Sequence, residues 1–246
     1  MDALSNWTKH LDAKTNTCIQ TVFVDFSKAF DMMNPTILDS KLSELSVNNS
    51  LRKLINSFLT SRSACVTDRA TGERSSELSV SRGVPQGTIL GLPLWSVYIN
   101  DLPQKIADAS PSSEKTIYAD DVTSYQPVYK QDAELTSISR TCRLMSTPLH
   151  CNQLLTPFND MTLNTAKTKT MNVSPSLNII SDLGLNVDSK QIEEVSEFKL
   201  LGVMIDTHLS FTSHVETTYS RAKSRLHALL TLKRFGVDEP SLIRFY

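Results

Sequence analysis

Two strand-like apolar runs that end on aspartate constrain this chain more than any other feature. Thr21-Val22-Phe23-Val24 is a β-branched and aromatic run that closes on Asp25. Thr116-Ile117-Tyr118 and Val122-Thr123-Ser124-Tyr125 flank a tight Ala119-Asp120-Asp121 stretch and read as a hairpin. A carboxylate at a strand end or hairpin tip is held by stiff backbone and still reaches solvent. If the two elements are neighbours in one sheet, three carboxylates converge, and such a group repels itself unless a cation joins it. Hard oxygen ligands suit Mg²⁺. Two such ions about 3.5–4 Å apart stabilise the attacking and leaving oxygens of an in-line phosphoryl displacement. The chemistry implied is nucleotidyl transfer or its reverse, phosphodiester cleavage. Adjacent aspartates are also ordinary turn residues, so the pair takes its meaning from what surrounds it.

The surroundings alternate helix and strand. Residues 2–16 read as a short polar helix. After Pro35, Ile37, Leu38, Leu42 and Leu45 share one helical face, and Leu51, Leu54, Ile55, Phe58 and Leu59 share another. Residues 65–70 and 77–80 flank a Thr71-Gly72-Glu73 turn and read as a hairpin. Gly83-Val84-Pro85-Gln86-Gly87 is a loop that opens into an apolar helix through Ile89, Leu90, Leu94, Val97, Tyr98 and Ile99. Leu135, Ile138, Cys142, Met145 and Leu149 step by three and four, and predict another helix before a polar, irregular stretch at 150–165. Residues 169–173 and 195–205 read as strands. Val215, Tyr219, Ala222, Leu226 and Leu229 form an apolar stripe on a final long helix, 212–235, that also carries Arg221, Lys223, Arg225, Lys233 and Arg234 against Glu216. The chain stops in an amphipathic run, Leu242-Ile243-Arg244-Phe245-Tyr246, with no terminator, which suggests a fragment.

Composition excludes several classes. With 246 residues, 40% hydrophobic and 21% charged, the chain is neither disordered nor a disulfide scaffold. A formal charge of −1 gives no whole-chain signature of nucleic-acid binding, although charge concentrated on the last helix can act locally. Cys18, Cys65, Cys142 and Cys151 form no C-x-x-C pair and read as reduced thiols. The first residues do not read as a secretory segment, and the sequence shows no apolar run of the ~18 residues a membrane helix needs. The expectation is an intracellular protein of the nucleus and/or cytoplasm that does not engage membrane.

The order of the motifs is more specific than any one of them. Val24-Asp25-Phe26-Ser27-Lys28-Ala29-Phe30-Asp31 comes first, then Arg82-Gly83-Val84-Pro85-Gln86-Gly87-Thr88-Ile89-Leu90-Gly91 and Tyr98-Ile99-Asn100-Asp101-Leu102-Pro103. Tyr118-Ala119-Asp120-Asp121, Leu163-Asn164-Thr165-Ala166-Lys167-Thr168 and Leu200-Leu201-Gly202-Val203 complete the series. This order resembles palm motifs A to E of reverse transcriptases. The wording of the second motif, the Tyr98–Pro103 run and the His214-Val215-Glu216 region resemble non-LTR (LINE or jockey-type) retrotransposon enzymes.

That resemblance implies roles for residues. Asp25, Asp120 and Asp121 would bind metal, two Mg²⁺ ions with Mn²⁺ as an alternative, with Asp25 and Asp120 bridging both ions, Asp121 contributing more weakly and the Phe26 carbonyl helping. Phe30 would be the steric gate that excludes a 2′-OH. Gly83, Pro85, Gln86 and Gly87 would face the incoming nucleotide, with Gln86 as the side-chain contact. Lys167 would be a general acid for pyrophosphate departure. Leu200, Leu201, Gly202 and Val203 would form a β-turn that grips the primer 3′ end. Arg221, Lys223, Arg225, Lys233 and Arg234 would meet a duplex backbone.

The fold implied is α+β, a right-hand polymerase palm made of a ferredoxin-like antiparallel sheet backed by helices. Residues 1–20 would be a remnant of fingers or leader, 21–206 the palm with fingers elements, and 207–246 the start of a helical thumb. The function implied is an RNA-directed DNA polymerase that uses an RNA template, a DNA primer and dNTP. Only a short segment precedes Val22, where the family carries basic fingers residues, and Pro148, Pro157 and Phe158 occupy a stretch where members often carry Trp. The alternative is therefore a truncated, inactive remnant that only binds RNA or protein. Phe30 argues against an RNA-dependent RNA polymerase, and a metal-dependent nuclease would not need the 83–87 loop.

Overall fold

The structure, a computed structural model, describes residues 2–12, 16–109, 111, 113–129, 159–174, 186–187 and 190–245. Strand β1 (Asn16–Val24) is the axis of a five-stranded sheet. Its neighbours, in chain order along the sheet, come from far along the sequence. On one side lie β5 (Asp121–Tyr129) and then β4 (Glu114–Tyr118); on the other lie β6 (Lys169–Val173) and then β9 (Glu193–Glu194). Three of the four pairings are antiparallel, whereas β6 and β9 run parallel. The expected antiparallel sheet is therefore mixed at one edge, because β9 reaches β6 by a crossover rather than a hairpin. Three two-stranded ribbons complete the strands: β2 (Arg62–Ala64) with β3 (Leu78–Val80), β7 (Asn186–Val187) with β8 (Lys190–Gln191), and β10 (Glu197–Leu200) with β11 (Val203–Asp206).

The two-residue period of β1 sorts its side chains to two cores. Val22 and Val24 face helices α2 (Ala29–Met32), α3 (Pro35–Glu44), α4 (Asn49–Thr60), α5 (Gly91–Tyr98) and α6 (Leu102–Ala109), which bring Met33, Leu38, Leu59, Leu94, Trp95 and Ile106. Ile19 and Phe23 face the other way, toward α1 (Asp2–Asp12) and the β10–β11 hairpin, among Trp7, Tyr125, Met171, Val173 and Ile205. Trp7 meets the Tyr125 ring edge-on at 5.8 Å. Residues 16–20, expected to lie ahead of the main domain, belong to the central strand of this sheet, and α1 packs on it. The sequence reads as strand only from Thr21, because Gln20 ahead of it, though covered, is polar.

Several local expectations shift for similar reasons. The helical pattern after Pro35 is two helices, with the Asn34 and Asn48 side chains capping them by accepting from the Thr36 and Ser50 amides. The first ribbon starts at Arg62 rather than 65, and a Thr67–Arg74 bridge carries it outward into solvent. The apolar helix begins at Gly91, leaving Ile89 94% exposed. The run 195–205 folds back at Leu201-Gly202, both at positive φ, as a two-residue hairpin turn demands. The Tyr98–Pro103 run is a structural joint. Lys41 Nζ donates to Asp101 Oδ1 and to the Tyr98 carbonyl, while the Tyr98 hydroxyl accepts from the Asn34 amide and donates to the Asn159 carbonyl. The helix expected at 135–149, with Cys142, and Cys151 beyond it lie outside the described residues. Cys18 and Cys65 are free thiols.

After β11 the chain enters α7 (Thr212–Arg234) and α8 (Glu239–Phe245). The α7 stripe of Val215, Tyr219 and Leu226 is exposed, and the helix buries no residue. No helix among the described residues is long and apolar enough to cross a membrane. What fixes the start of α7 is Asp206. Its carboxylate accepts from the amides of His208, Ser210 and Phe211 and from the Ser210 hydroxyl, at 2.8–3.0 Å. Burial works to raise the Asp206 carboxyl, but these donors outweigh it and hold it below its ordinary value.

Asp206→Ala should therefore destabilise the β11–α7 joint by about 1–3 kcal/mol at neutral pH. A carboxyl lowered on folding contributes fully above its unfolded pKa and loses that contribution as pH falls through the folded value. The difference in Tm between wild type and Asp206→Ala should accordingly shrink from neutral pH to about pH 3. A difference that does not change with pH would contradict the assignment.

Candidate active site

The site begins with strand register. Val24 of β1 pairs with Val122 of β5, so the next position sets Asp25 opposite Asp121. Partners across a ladder put their side chains on the same face. Asp25 and Asp121 accordingly line one cleft of about 60 Å³ together with Lys167, Phe198, Lys199, Leu200 and Leu201. Asp120 occupies the β4–β5 turn beside Asp121 and is not among the cleft-lining residues. Asp120 is still near enough for its charge to act on the Asp121 carboxyl. Among the described residues, no group of three or more His, Cys, Asp or Glu side chains is close enough together to hold a metal ion.

The charge balance in the cleft is unfavourable for the acid groups alone. Burial first, and then the negative charges of Asp120 and Asp25, push the Asp121 carboxyl above its ordinary value. Asp25 Oδ2 is buried without a hydrogen-bond partner. Lys167 Nζ lies 4.0 Å from it on a side chain that is 71% exposed, so this contact is solvent-screened. An orphaned buried carboxylate oxygen beside mutually repelling carboxylates is a donor set of hard oxygens short of positive charge. Its chemistry suits a divalent cation of the Mg²⁺ type.

Backbone bonds hold Asp25 in place. Its carbonyl accepts from the Asn164 amide at 2.8 Å, its own amide donates to Thr168 Oγ1 at 3.3 Å, and the Ser27 amide donates to the Thr162 carbonyl at 2.8 Å. The 162–168 segment is thereby laid along the end of β1, which carries Lys167 to the cleft. Phe26 is buried in the helix-side core, so only its main chain is available to the site. On the other wall, Phe198 stacks on Phe23 at 3.8 Å with planes 5° apart. That stack sets Leu200 and Leu201 beside Asp25, while Gly202 and Val203 complete the turn. Lys28, Ala119 and Leu201 all adopt positive φ although none is glycine. All three lie next to the cleft in chain or space, where strained backbone is commonly retained for function.

The 83–87 loop is anchored on α2 and the residue that follows it. The Val84 amide donates to the Phe30 carbonyl at 2.9 Å and the Gly83 amide to the Met33 carbonyl at 2.8 Å. Arg62 clamps the loop entry by donating to the carbonyls of Arg82, Gly83 and Leu59. Gln86 is exposed, and its Nε2 reaches Asp31 Oδ1 at 3.3 Å. Pro85 is half-buried and Gly87 exposed. Phe30 is half-buried, with its ring 4.9 Å from that of Trp95. Trp95 also donates from Nε1 to the Ala119 carbonyl at 2.9 Å.

Sequence reasoning missed Arg62, Trp95, Thr168 and Phe198. Trp95 shares a helical face with Tyr98 and Ile99, so its burial was readable, but its partner 24 residues away was not. Arg221, Lys223, Arg225, Lys233 and Arg234 are exposed on α7, away from the cleft lining.

Comparison with known proteins places this geometry. Residues 2–205 match the family of reverse transcriptases (RNA-dependent DNA polymerases). The chain is 29% identical over 215 residues to the RNA-directed DNA polymerase from mobile element jockey of Drosophila funebris, covering 83% of this chain and 21% of that protein. It is 26% identical over 197 residues to the jockey polymerase of Drosophila melanogaster, covering 78% of this chain and 20% of that one. The chain thus spans about a fifth of the length of these relatives. Among solved structures, telomerase from Candida tropicalis, in complex with a fragment of telomeric RNA, superposes with a TM-score of 0.57 at 14% identity. That match covers 85% of this chain and 32% of telomerase, and it establishes a shared fold.

The loop geometry makes a direct prediction. A Cβ on Gly83 would lie 2.5 Å from the Asp31 carbonyl oxygen, at φ +78°, whereas one on Gly87, φ +79°, would meet nothing within 4 Å. Gly87→Ala should cost only the left-handed penalty of about 1–2 kcal/mol. Gly83→Ala should cost distinctly more, read as a larger fall in Tm. Equal losses would show that the Asp31 contact is not a constraint.

Proposed function

The chain belongs to the reverse transcriptase family, and on that footing we propose that it carries the catalytic palm of an RNA-directed DNA polymerase, which transfers a deoxynucleotide to a primer 3′-OH on an RNA template. The observation that carries this reading is that the β1–β5 register, which ends at Val24–Val122, brings Asp25 and Asp121 into the lining of one cleft. Asp25 and Asp121, with Asp120 on the adjoining turn and the Phe26 carbonyl, are the residues that would hold two Mg²⁺ ions, or Mn²⁺ in their place. Bound there, the ions would lower the barrier by stabilising charge on the oxygens of an in-line phosphoryl displacement.

The chain's own residues then position the reactants. The Leu200–Val203 turn, fixed by the Phe198–Phe23 stack, supports the primer terminus beside Asp25. The Phe30 ring, backed by Trp95, sits under the sugar and leaves no room for a 2′-OH. Gln86, on a loop whose amides are tied to Phe30 and Met33, meets the nucleotide from the far side. Lys167, within 4.0 Å of Asp25, is placed to give a proton to departing pyrophosphate. Exposed Arg221, Lys223, Arg225, Lys233 and Arg234 on α7 present positive charge to a duplex backbone.

Primer extension on poly(rA)/oligo(dT) tests the reading. Wild type should extend with dTTP only when a divalent metal is supplied, and chelation should stop it. Asp25→Asn and Asp121→Asn should each lower the rate by at least ~10²-fold, a loss typical of removed transition-state charge stabilisation. A chain that binds RNA but never extends would support the remnant alternative instead.

Sugar selection gives a separate check. Phe30→Ala should admit ribonucleotides while leaving metal dependence as it was. Unchanged discrimination would show that Phe30 is only a packing residue.

A further inference from the structure

Two parts of the proposed site must keep a fixed relation, the gate at Phe30 and the acidic turn at Ala119-Asp120, and one buried side chain touches both. Trp95 is 0% exposed on α5. One edge of its indole donates from Nε1 to the Ala119 carbonyl at 2.9 Å. Its ring also lies 4.9 Å from Phe30, tilted by 36°. On the far side it meets Tyr98 at 5.9 Å, whose hydroxyl is itself tied to the Asn34 amide and the Asn159 carbonyl. The indole is thus wedged and cannot shift without moving the gate.

The bond to Ala119 matters because of the backbone there. Ala119 has φ 54°, a conformation that a residue with a Cβ avoids. It forms a two-residue turn with Asp120, between Tyr118 and Asp121, which pair across the ladder. An external hydrogen bond helps hold a residue with a Cβ in that conformation, and the Trp95 N–H supplies one, reaching in from a rigid helix.

We infer that Trp95 is a positioning residue with two separable duties: its N–H fixes the turn that carries Asp120 and Asp121, and its ring fixes the angle of the Phe30 gate. This inference rests on nucleotidyl transfer at the Asp25–Asp121 cleft. The first duty governs the rate of transfer and the second governs sugar choice.

Trp95→Phe removes the N–H and keeps an aromatic wall; Trp95→Leu removes both. Trp95→Phe should lower kcat for dTTP addition about tenfold, the effect of a small misalignment at the reacting centre, with KM within about twofold. It should keep the wild-type preference for dTTP over UTP, whereas Trp95→Leu should add UTP incorporation to the loss of kcat. In both variants, amide exchange should quicken at 119–121 but not at 18–22 in β1. Variants that lower Tm without a split between kcat and KM or a change in sugar choice would reduce Trp95 to a core residue and overturn the inference. If wild type itself fails to extend a primer, the polymerase reading falls and exchange alone decides on the anchor. Faster exchange at 119–121 in Trp95→Phe supports it, and unchanged exchange overturns it.

Discussion

The antiparallel pairing of β1 with β5 is the constraint on which the rest depends. Register in a sheet is all-or-none for the faces: a slip of one residue sends each side chain to the opposite side. With Val24 set against Val122, valines of both strands enter the helix-side core, while Phe23 enters the other. The same choice leaves Asp25 and Asp121 facing each other where the strands end. Burial of the apolar residues thus fixes the position of the acidic ones. The repulsion between carboxylates is tolerated because some of the sheet's best-buried residues, Val22, Phe23, Val122 and Tyr125, lie within a few residues of them.

Around that pairing, each wall of the site is held by a contact remote in sequence. The hairpin at 200–203 is set by the stack of Phe198 on Phe23. The 162–168 segment is set by main-chain bonds to Asp25 and Ser27. The 83–87 loop is set by amide bonds to Phe30 and Met33 and by the Arg62 guanidinium. None of these is strong alone, since a hydrogen bond contributes about 1 kcal/mol net. Their effect is geometric, because each ties a loop to β1 or to the short helix that follows it. Substitutions at Arg62 or Phe198 would therefore act on the site through position.

Much of this was legible in the sequence, and the rest was hidden for physical reasons. The strand ending on Asp25 and the hairpin carrying Asp120 and Asp121 were readable because β-branched runs and turn residues are local signals. Motif order identified the family, and the fold followed. The start of β1 ahead of Thr21 was not readable, because the polar Gln20 is covered by neighbours that only the tertiary structure supplies. Periodicity alone hid the hairpin within 195–205, because Leu201 is apolar at positive φ where a turn would favour glycine or asparagine; only the family resemblance implied a turn at Leu200–Val203. The grouping of Asp120 with Asp121 was readable as a turn pair, and the charges of Asp120 and Asp25 both act on Asp121. The α7 stripe was correctly periodic, yet periodicity cannot tell what it packs against, and here it faces solvent.

The central claim is that Asp25 and Asp121 form one cation-binding cleft by virtue of strand register. Titrating Mn²⁺ into the isotope-labelled chain and following paramagnetic broadening of backbone amides tests this most directly. The account predicts that the Val24 and Val122 amides broaden together over one titration range, and that Asp25→Asn removes the effect at both. Broadening of one without the other, or persistence at Val122 in Asp25→Asn, would contradict it.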